Sequence, residues 1–176
     1  MPSKNLRRLV LFAMFGLGLC GVLGAQAPSR IVDERDPYRT VRLDPLNAGL
    51  VDFLERESEH IVSNQEKLKT GELKQADYDK SLAESKAKVA AIAAQQPASA
   101  PVQTSAARAY IRAGDYALAV DHASKAVAIA PKDPFPLTTR GVAYFESGDF
   151  PKAAADARRA LTLDPDDPVA KAIYEL

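Results

Sequence analysis

Apolar positions along this chain fall into three textures. Leu9 to Leu23 form a nearly continuous apolar run, broken only by glycines and Cys20. Residues 28–46 have no apolar periodicity and hold three prolines, four arginines and four acids, the composition of an extended, solvated linker. From Asn47 onward the spacing becomes helical. Leu50, Leu54, Ile61 and Leu68 recur on one face, with Phe53 and Val62 widening the stripe, and Thr70-Gly71 ends the segment. Tyr78, Leu82, Ser85, Val89 and Ile92 then follow at alternating steps of four and three, a seam that buries one face of a helix against a neighbour. The two segments predict an antiparallel helical hairpin over 47–96. The Ala, Gln, Pro and Ser run from Ala93 to Pro101 marks a boundary after it.

Beyond that boundary the pattern repeats itself. Residues 100–133 and 134–167 align without a gap at a period of 34. Tyr110 pairs with Tyr144, Gly114 with Gly148, Asp115 with Asp149 and Tyr116 with Phe150. Ala119, Ala123, Ala126 and Pro131 pair with Ala153, Ala157, Ala160 and Pro165. Each copy predicts a helical hairpin whose first helix closes at a glycine able to take positive φ. Asp115 and Asp149 then cap the second helix, whose first-turn aromatic packs back on its partner. The alanines allow helices to approach closely, and Pro131 and Pro165 stop the second helices by lacking the donor and clashing with the preceding turn. Asp133-Pro134 and Asp167-Pro168 each read as a cap followed by proline at the first helical position.

Gly114-Asp115-Tyr116…Ala119…Ala126…Pro131 and Gly148-Asp149-Phe150…Ala153…Ala160…Pro165 resemble tetratricopeptide (TPR) repeats, over 68 of the 176 residues. The resemblance implies an all-α fold of TPR-type hairpins stacked as a short right-handed solenoid, preceded by the 47–96 hairpin. Two departures stand out. The large residue expected early in the first helix is Gln103 in one copy and Leu137 in the other, and the next apolar position holds Ala106 and then Arg140. Both are expected to loosen the packing of the first helices. Ala76-Asp77-Tyr78-Asp79 echoes the repeat's turn, but Asp77 lies 38 residues before Asp115, and Lys88 falls where a small residue belongs. The 47–96 hairpin therefore reads either as a degenerate repeat or as an unrelated cap. Residues 168–176 restart a first helix, with Val169, Ile173 and Leu176 on one face, and cap the end of the stack.

Stacked TPRs serve as interaction modules, and their first helices line a concave groove. The family's groove-facing positions select Thr104, Arg108, Ile111 and Arg112 in the first copy and Thr138, Val142, Phe145 and Glu146 in the second. The resemblance implies a mixed surface there, with an apolar centre near Phe145 and Ile111 beside two arginines. Such a surface suits a peptide with an apolar anchor and an acidic group. In TPR proteins that clamp a chaperone's terminal carboxylate, Lys and Asn stand where this chain has Thr104 and Arg108, which disfavours that particular partner.

Charge refines the picture. The chain holds 23 Lys+Arg and 23 Asp+Glu, but residues 1–27 carry three basic residues and no acidic one. With the apolar run after them and a small-residue end, they form the pattern of a secretory signal peptide, whose removal leaves a charge of −3. Ala25-Gln26-Ala27 fits the small-x-small rule, yet Pro28 suits the protease subsite badly, and cleavage after Ala25 is the substitute. The apolar run of 15 residues is shorter than the ~20 of a spanning helix, so a retained anchor is the alternative. Leu17-Gly18-Leu19-Cys20 is similar to a bacterial lipobox, with Leu19 where the pattern wants a small residue, so lipidation at Cys20 is the minority alternative. Membrane association follows only from retention or lipidation.

The expected organisation is a signal peptide over 1–27, a linker over 28–46, the hairpin over 47–96, TPRs over 100–133 and 134–167, and a capping helix over 168–176. Balanced charge argues against nucleic acid as a partner. No phosphate loop, nucleophile elbow or His-x-x-x-His pair is present, and one Cys with two His is a poor metal inventory. No cofactor, metal site or catalytic residue is expected, and His60 and His122 read as surface or packing residues. The expected function is that of an exported adaptor or scaffold, in a bacterial periplasm or secreted, which binds a protein or peptide. The alternative is a self-assembling component of the envelope, because two repeats fall short of the three or so that make a stable stack.

Overall fold

The computed structural model describes residues 45–175, and the signal peptide, Cys20 and all but the last two residues of the linker lie outside them. Seven helices run through the described residues: α1 Pro45–Thr70, α2 Gln75–Gln95, α3 Ala100–Arg112, α4 Tyr116–Ile129, α5 Pro134–Ser147, α6 Phe150–Leu163 and α7 Pro168–Tyr174. They form three antiparallel hairpins and a final short helix.

The repeat turns follow from their residues. Gly114 and Gly148 take φ of 73° and 88°, a region closed to most side chains. The Gly114 N–H bonds the Ile111 carbonyl and the Asp115 N–H bonds Tyr110, and Gly148 and Asp149 do the same to Phe145 and Tyr144. This is the Schellman closure, and it satisfies carbonyls that the helix end leaves open. The next residue starts the next helix. Asp149 accepts from the Lys152 N–H at 3.3 Å, Asp133 from Phe135 at 3.0 Å, and Asp167 from Val169 and Ala170 at 2.8 and 3.0 Å.

One core runs through the stack, from Leu54 in α1 to Ile173 in α7. Ala119, Ala123, Ala126, Ala153, Ala157 and Ala160 are all buried within it. Their small side chains let the second helices lie close to their neighbours. A Cβ added at Gly141 would meet the Ala153 carbonyl oxygen at 3.5 Å and Ile173 Cδ1 at 3.6 Å, which is ordinary contact.

The N-terminal hairpin is assembled differently. Lys88 Nζ donates to Glu57 at 3.0 Å, and Asn64 donates to Ser81 at 2.8 Å, so α1 and α2 run antiparallel. His60 joins that polar seam, 3.1 Å from Ser81 and 3.0 Å from Asn64. Lys88, at the position where a repeat has a small residue, is an exposed side chain that reaches across to Glu57 of α1. In the repeats the second helix is the main support of the next hairpin, whereas here α1 packs on α3 more extensively than α2 does. The buried face of α2 is narrow (Ser85, Val89 and Ala93), while α1 brings Leu54 and Ile61 inward.

The expectation that Gln103 and Arg140 loosen the first helices is corrected by what they bond. Gln103 is 2% exposed, and its Nε2 donates to the carbonyls of Ala93 at 2.9 Å and Gln96 at 3.1 Å, at the end of α2. Its Oε1 lies 2.8 Å from His122 Nδ1. With the amide nitrogen committed to two carbonyls, Oε1 is an acceptor and His122 Nδ1 carries the proton. The His122 ring stacks on Tyr110 with centroids 5.2 Å apart. Arg140 donates to Asp156 through Nε at 2.7 Å and Nη2 at 2.8 Å, and reaches Ser124 Oγ at 3.2 Å. The two-pronged bond to Asp156 also holds the Arg140 guanidinium above its usual pKa. His122 and Asp156 are equivalent positions at the 34-residue period, so each repeat ties its second helix to its first through the same place.

Two stability predictions follow from this packing. Gly141→Ala removes a helix-interior glycine without a close contact, and is expected to raise stability by about 0.5–1 kcal/mol in urea unfolding. A loss would mean that the Ala153 backbone cannot tolerate the methyl. Asp156→Ala strands a guanidinium whose side chain is only 17% exposed, and is expected to lose about 3–5 kcal/mol. Asp121→Ala, which breaks the exposed pair with Lys125, is expected to lose about 0.3–0.5 kcal/mol. Equal losses for the two would refute the structural role given to Arg140.

Candidate concave interaction face

The first helices α1, α3, α5 and α7 lie side by side, each against the next. Glu55 meets Arg108 and Gln65 meets the Arg112 carbonyl, so residue numbers rise together and α1 is parallel to α3. This shared side of the stack is where the family's groove positions fall.

Five of the eight groove positions are core. Thr104, Ile111, Thr138, Val142 and Phe145 are all buried, Phe145 to 1% exposure and Ile111 to 5%. Thr104 Oγ1 donates to the Ala100 carbonyl at 2.8 Å, one turn back. Thr138 Oγ1 lies 3.3 Å from the Pro134 carbonyl and 2.5 Å from Asp167 Oδ2, which couples α5 to the cap of α7. The Phe145 ring meets Phe150 edge-on with centroids 5.4 Å apart. The apolar centre expected near Phe145 and Ile111 is therefore not an exposed surface.

Arg108, Arg112 and Glu146 are half-buried and remain at the face. Arg108 Nη1 donates to Glu55 Oε1 at 2.6 Å, and its guanidinium lies 5.6 Å from the centroid of the Phe135 ring. Burial first and the neighbouring Arg108 second pull the Arg112 pKa down to about 10, against the opposing pull of Glu55 and Glu59. It stays a cation at neutral pH. Along α1, Asp52, Glu55, Arg56 and Glu59 line a shallow depression beside this pair.

The acidic group expected from a partner is thus met, at Arg108, from within the chain. Sequence reasoning missed Glu55, Glu59 and Phe135. The signal was present as two acids one turn apart on α1. Without the register between the hairpin and the repeats, nothing placed them opposite the arginines. Among the described residues no group of three or more His, Cys, Asp or Glu lies together in a way that would hold a metal ion.

Comparison with known proteins agrees with this architecture. Residues 134–167 and residues 100–133 each match a family model described as tetratricopeptide repeat. No curated protein matches the chain in sequence. Among solved structures, the first TPR domain of the human RPAP3 protein, determined by NMR, is similar with a TM-score of 0.52 and 20% identity. That match covers 74% of this chain and 87% of the other. The Arabidopsis OM64 TPR domain is similar with a TM-score of 0.51 and 21% identity, covering 73% of this chain and 94% of the other. Both matches extend beyond the two repeats, and at this identity they speak to the fold. The glycine closures, aspartate caps, buried alanines and 34-residue period, together with the two family matches, identify residues 100–133 and 134–167 as two tetratricopeptide repeats.

Proposed function

We propose that the chain is an exported protein–protein interaction module, an adaptor or scaffold that takes a partner segment on its concave side. The observation that carries this reading is the polar strip on that side. Arg108 and Arg112 stand one turn apart on α3, with Glu55 and Glu59 facing them from α1 and Phe135 beneath Arg108. With the apolar groove positions spent on the core, the strip supports recognition by charge and hydrogen bonding. A partner carboxylate would compete with Glu55 for Arg108. Contact, rather than catalysis, is the work that a repeat stack of this kind supports.

Export rests on the basic start and apolar run of residues 1–27, outside the described residues. No helix among the described residues is long and apolar enough to cross a membrane. Self-assembly is the weaker reading, because the α1–α2 hairpin already stacks on the repeats and brings the hairpins to three.

Exchanging the two sides of the concave pair tests the interaction reading. The double variant Glu55→Arg, Arg108→Glu keeps an ion pair with reversed polarity, so it is expected to fold as wild type. It should lose most of the proteins that wild type recovers from envelope extracts. Equal recovery by the two would remove the concave face from partner binding. In light scattering at high micromolar concentration the protein is expected to be a monomer, and a stable oligomer would favour self-assembly. Fractionation with mass determination should show a mature chain beginning at Gln26 or Pro28. An intact or lipid-modified N-terminus would overturn simple export.

A further inference from the structure

We propose that residues 28–44 fold back along α1 and lie over the concave strip, as the chain's own occupant of that face. The strip is polar and part of it is unpaired. Asp52, Glu55, Arg56 and Glu59 line the shallow depression on α1. Glu55 is held by Arg108. Asp52 and Glu59 are exposed and make no hydrogen bond or close ion pair among the described residues. Arg112 comes further along, where Gln65 of α1 donates to its carbonyl at 2.7 Å. From the start of α1 the strip is therefore acidic first and gains a cation later.

The segment carries the opposite order of charge. It joins α1 at Pro45, the end nearest the acids. Tyr38 to Leu43 hold Arg39 and Arg42 and no acid, whereas Asp33-Glu34-Arg35-Asp36 hold three acids and one arginine. Pro37 disfavours helical backbone at the residue before it, which suits an extended path.

Lengths agree as well as charges. Asp52 and Glu59 lie seven and fourteen residues into α1, about 10 and 21 Å from Pro45 at the helical rise. Arg42 and Arg39 lie three and six residues before Pro45, about 10 and 20 Å along an extended chain. Asp36, at about 30 Å, comes level with Gln65 and hence with Arg112. A returning segment thus sets Arg42 against Asp52, Arg39 against Glu59 and Asp36 against Arg112. The tether gives these charges an effective concentration that a second copy of the chain lacks, so weak surface pairs suffice to hold them. Contacts of this exposed, electrostatic kind are readily displaced, and a partner with tighter contacts would take their place. Only that consequence rests on the interaction reading above.

Paramagnetic relaxation in NMR spectra tests the docking on the intact chain, with Cys20→Ser and a nitroxide carried by Thr40→Cys. Amides of 55–60 in α1 and 108–112 in α3 are expected to broaden, while those of α6 stay sharp. Asp52→Lys with Glu59→Lys, both at exposed positions, is expected to lower the docked-to-free ratio about tenfold, the worth of two surface ion pairs. Adding Arg39→Asp and Arg42→Asp to that variant should restore the broadening. Salt at about 1 M, which cuts the screening length to about 3 Å, should release the segment without any change on α1. Broadening confined to the first turn of α1, or unmoved by both charge reversal and salt, overturns the proposal. Broadening that grows with protein concentration assigns the strip to a second copy, and overturns it too. No partner enters these measurements, so the docking and the interaction reading fail separately.

Discussion

The stack depends on close approach between helices, and that approach depends on side chains small enough to permit it. Ala119, Ala123 and Ala126 in the first repeat, and Ala153, Ala157 and Ala160 in the second, are all buried on the second helices. A larger side chain at any of them would push two backbones apart and misalign every contact further along the stack. Gly141 is not under this constraint, because an added Cβ would make only ordinary contact with α6 and α7. Each hairpin can then be read as a rigid unit closed by a left-handed glycine and restarted by an aspartate cap.

Close approach leaves little room for error in the polar groups that it buries. Each repeat resolves this with one internal tie at the same position of its second helix. In the first repeat a neutral imidazole meets a glutamine, and in the second a carboxylate meets a guanidinium. Both ties reach outside their own repeat. Gln103 continues to the end of α2, and Arg140 reaches back to Ser124. They act as fasteners between hairpins, which explains why the family's apolar residues can be absent at these places without slack in the stack.

The N-terminal hairpin shows what happens when that pattern relaxes. Its seam is largely polar, built from Glu57–Lys88 and the Asn64–Ser81–His60 cluster, and its long first helix leans on α3. The lean brings acidic residues of α1 to the arginines of α3. One geometric change therefore decides both how the hairpin is attached and what the concave side offers to a partner.

Much of this was legible from residues alone. The period of 34 located both repeats, and Gly114, Gly148, Asp115, Asp149, Asp133 and Asp167 marked where helices end and begin, because positive φ and unpaired helix-end N–H groups are local requirements. The face was legible only in part. Arg108, Arg112 and Glu146 stay at the surface, but Val142, Phe145 and Ile111 do not, since burial depends on how tightly neighbouring hairpins close. Glu55, 53 residues from Arg108, gave no local sign of its partner. Local backbone chemistry and periodicity are written in the order of residues, and they determined the helices, their caps and the family. Register between hairpins is set by the packing of faces far apart in sequence, so only the tertiary structure decided which charges meet, and that Gln103 and Arg140 fasten the stack rather than loosen it.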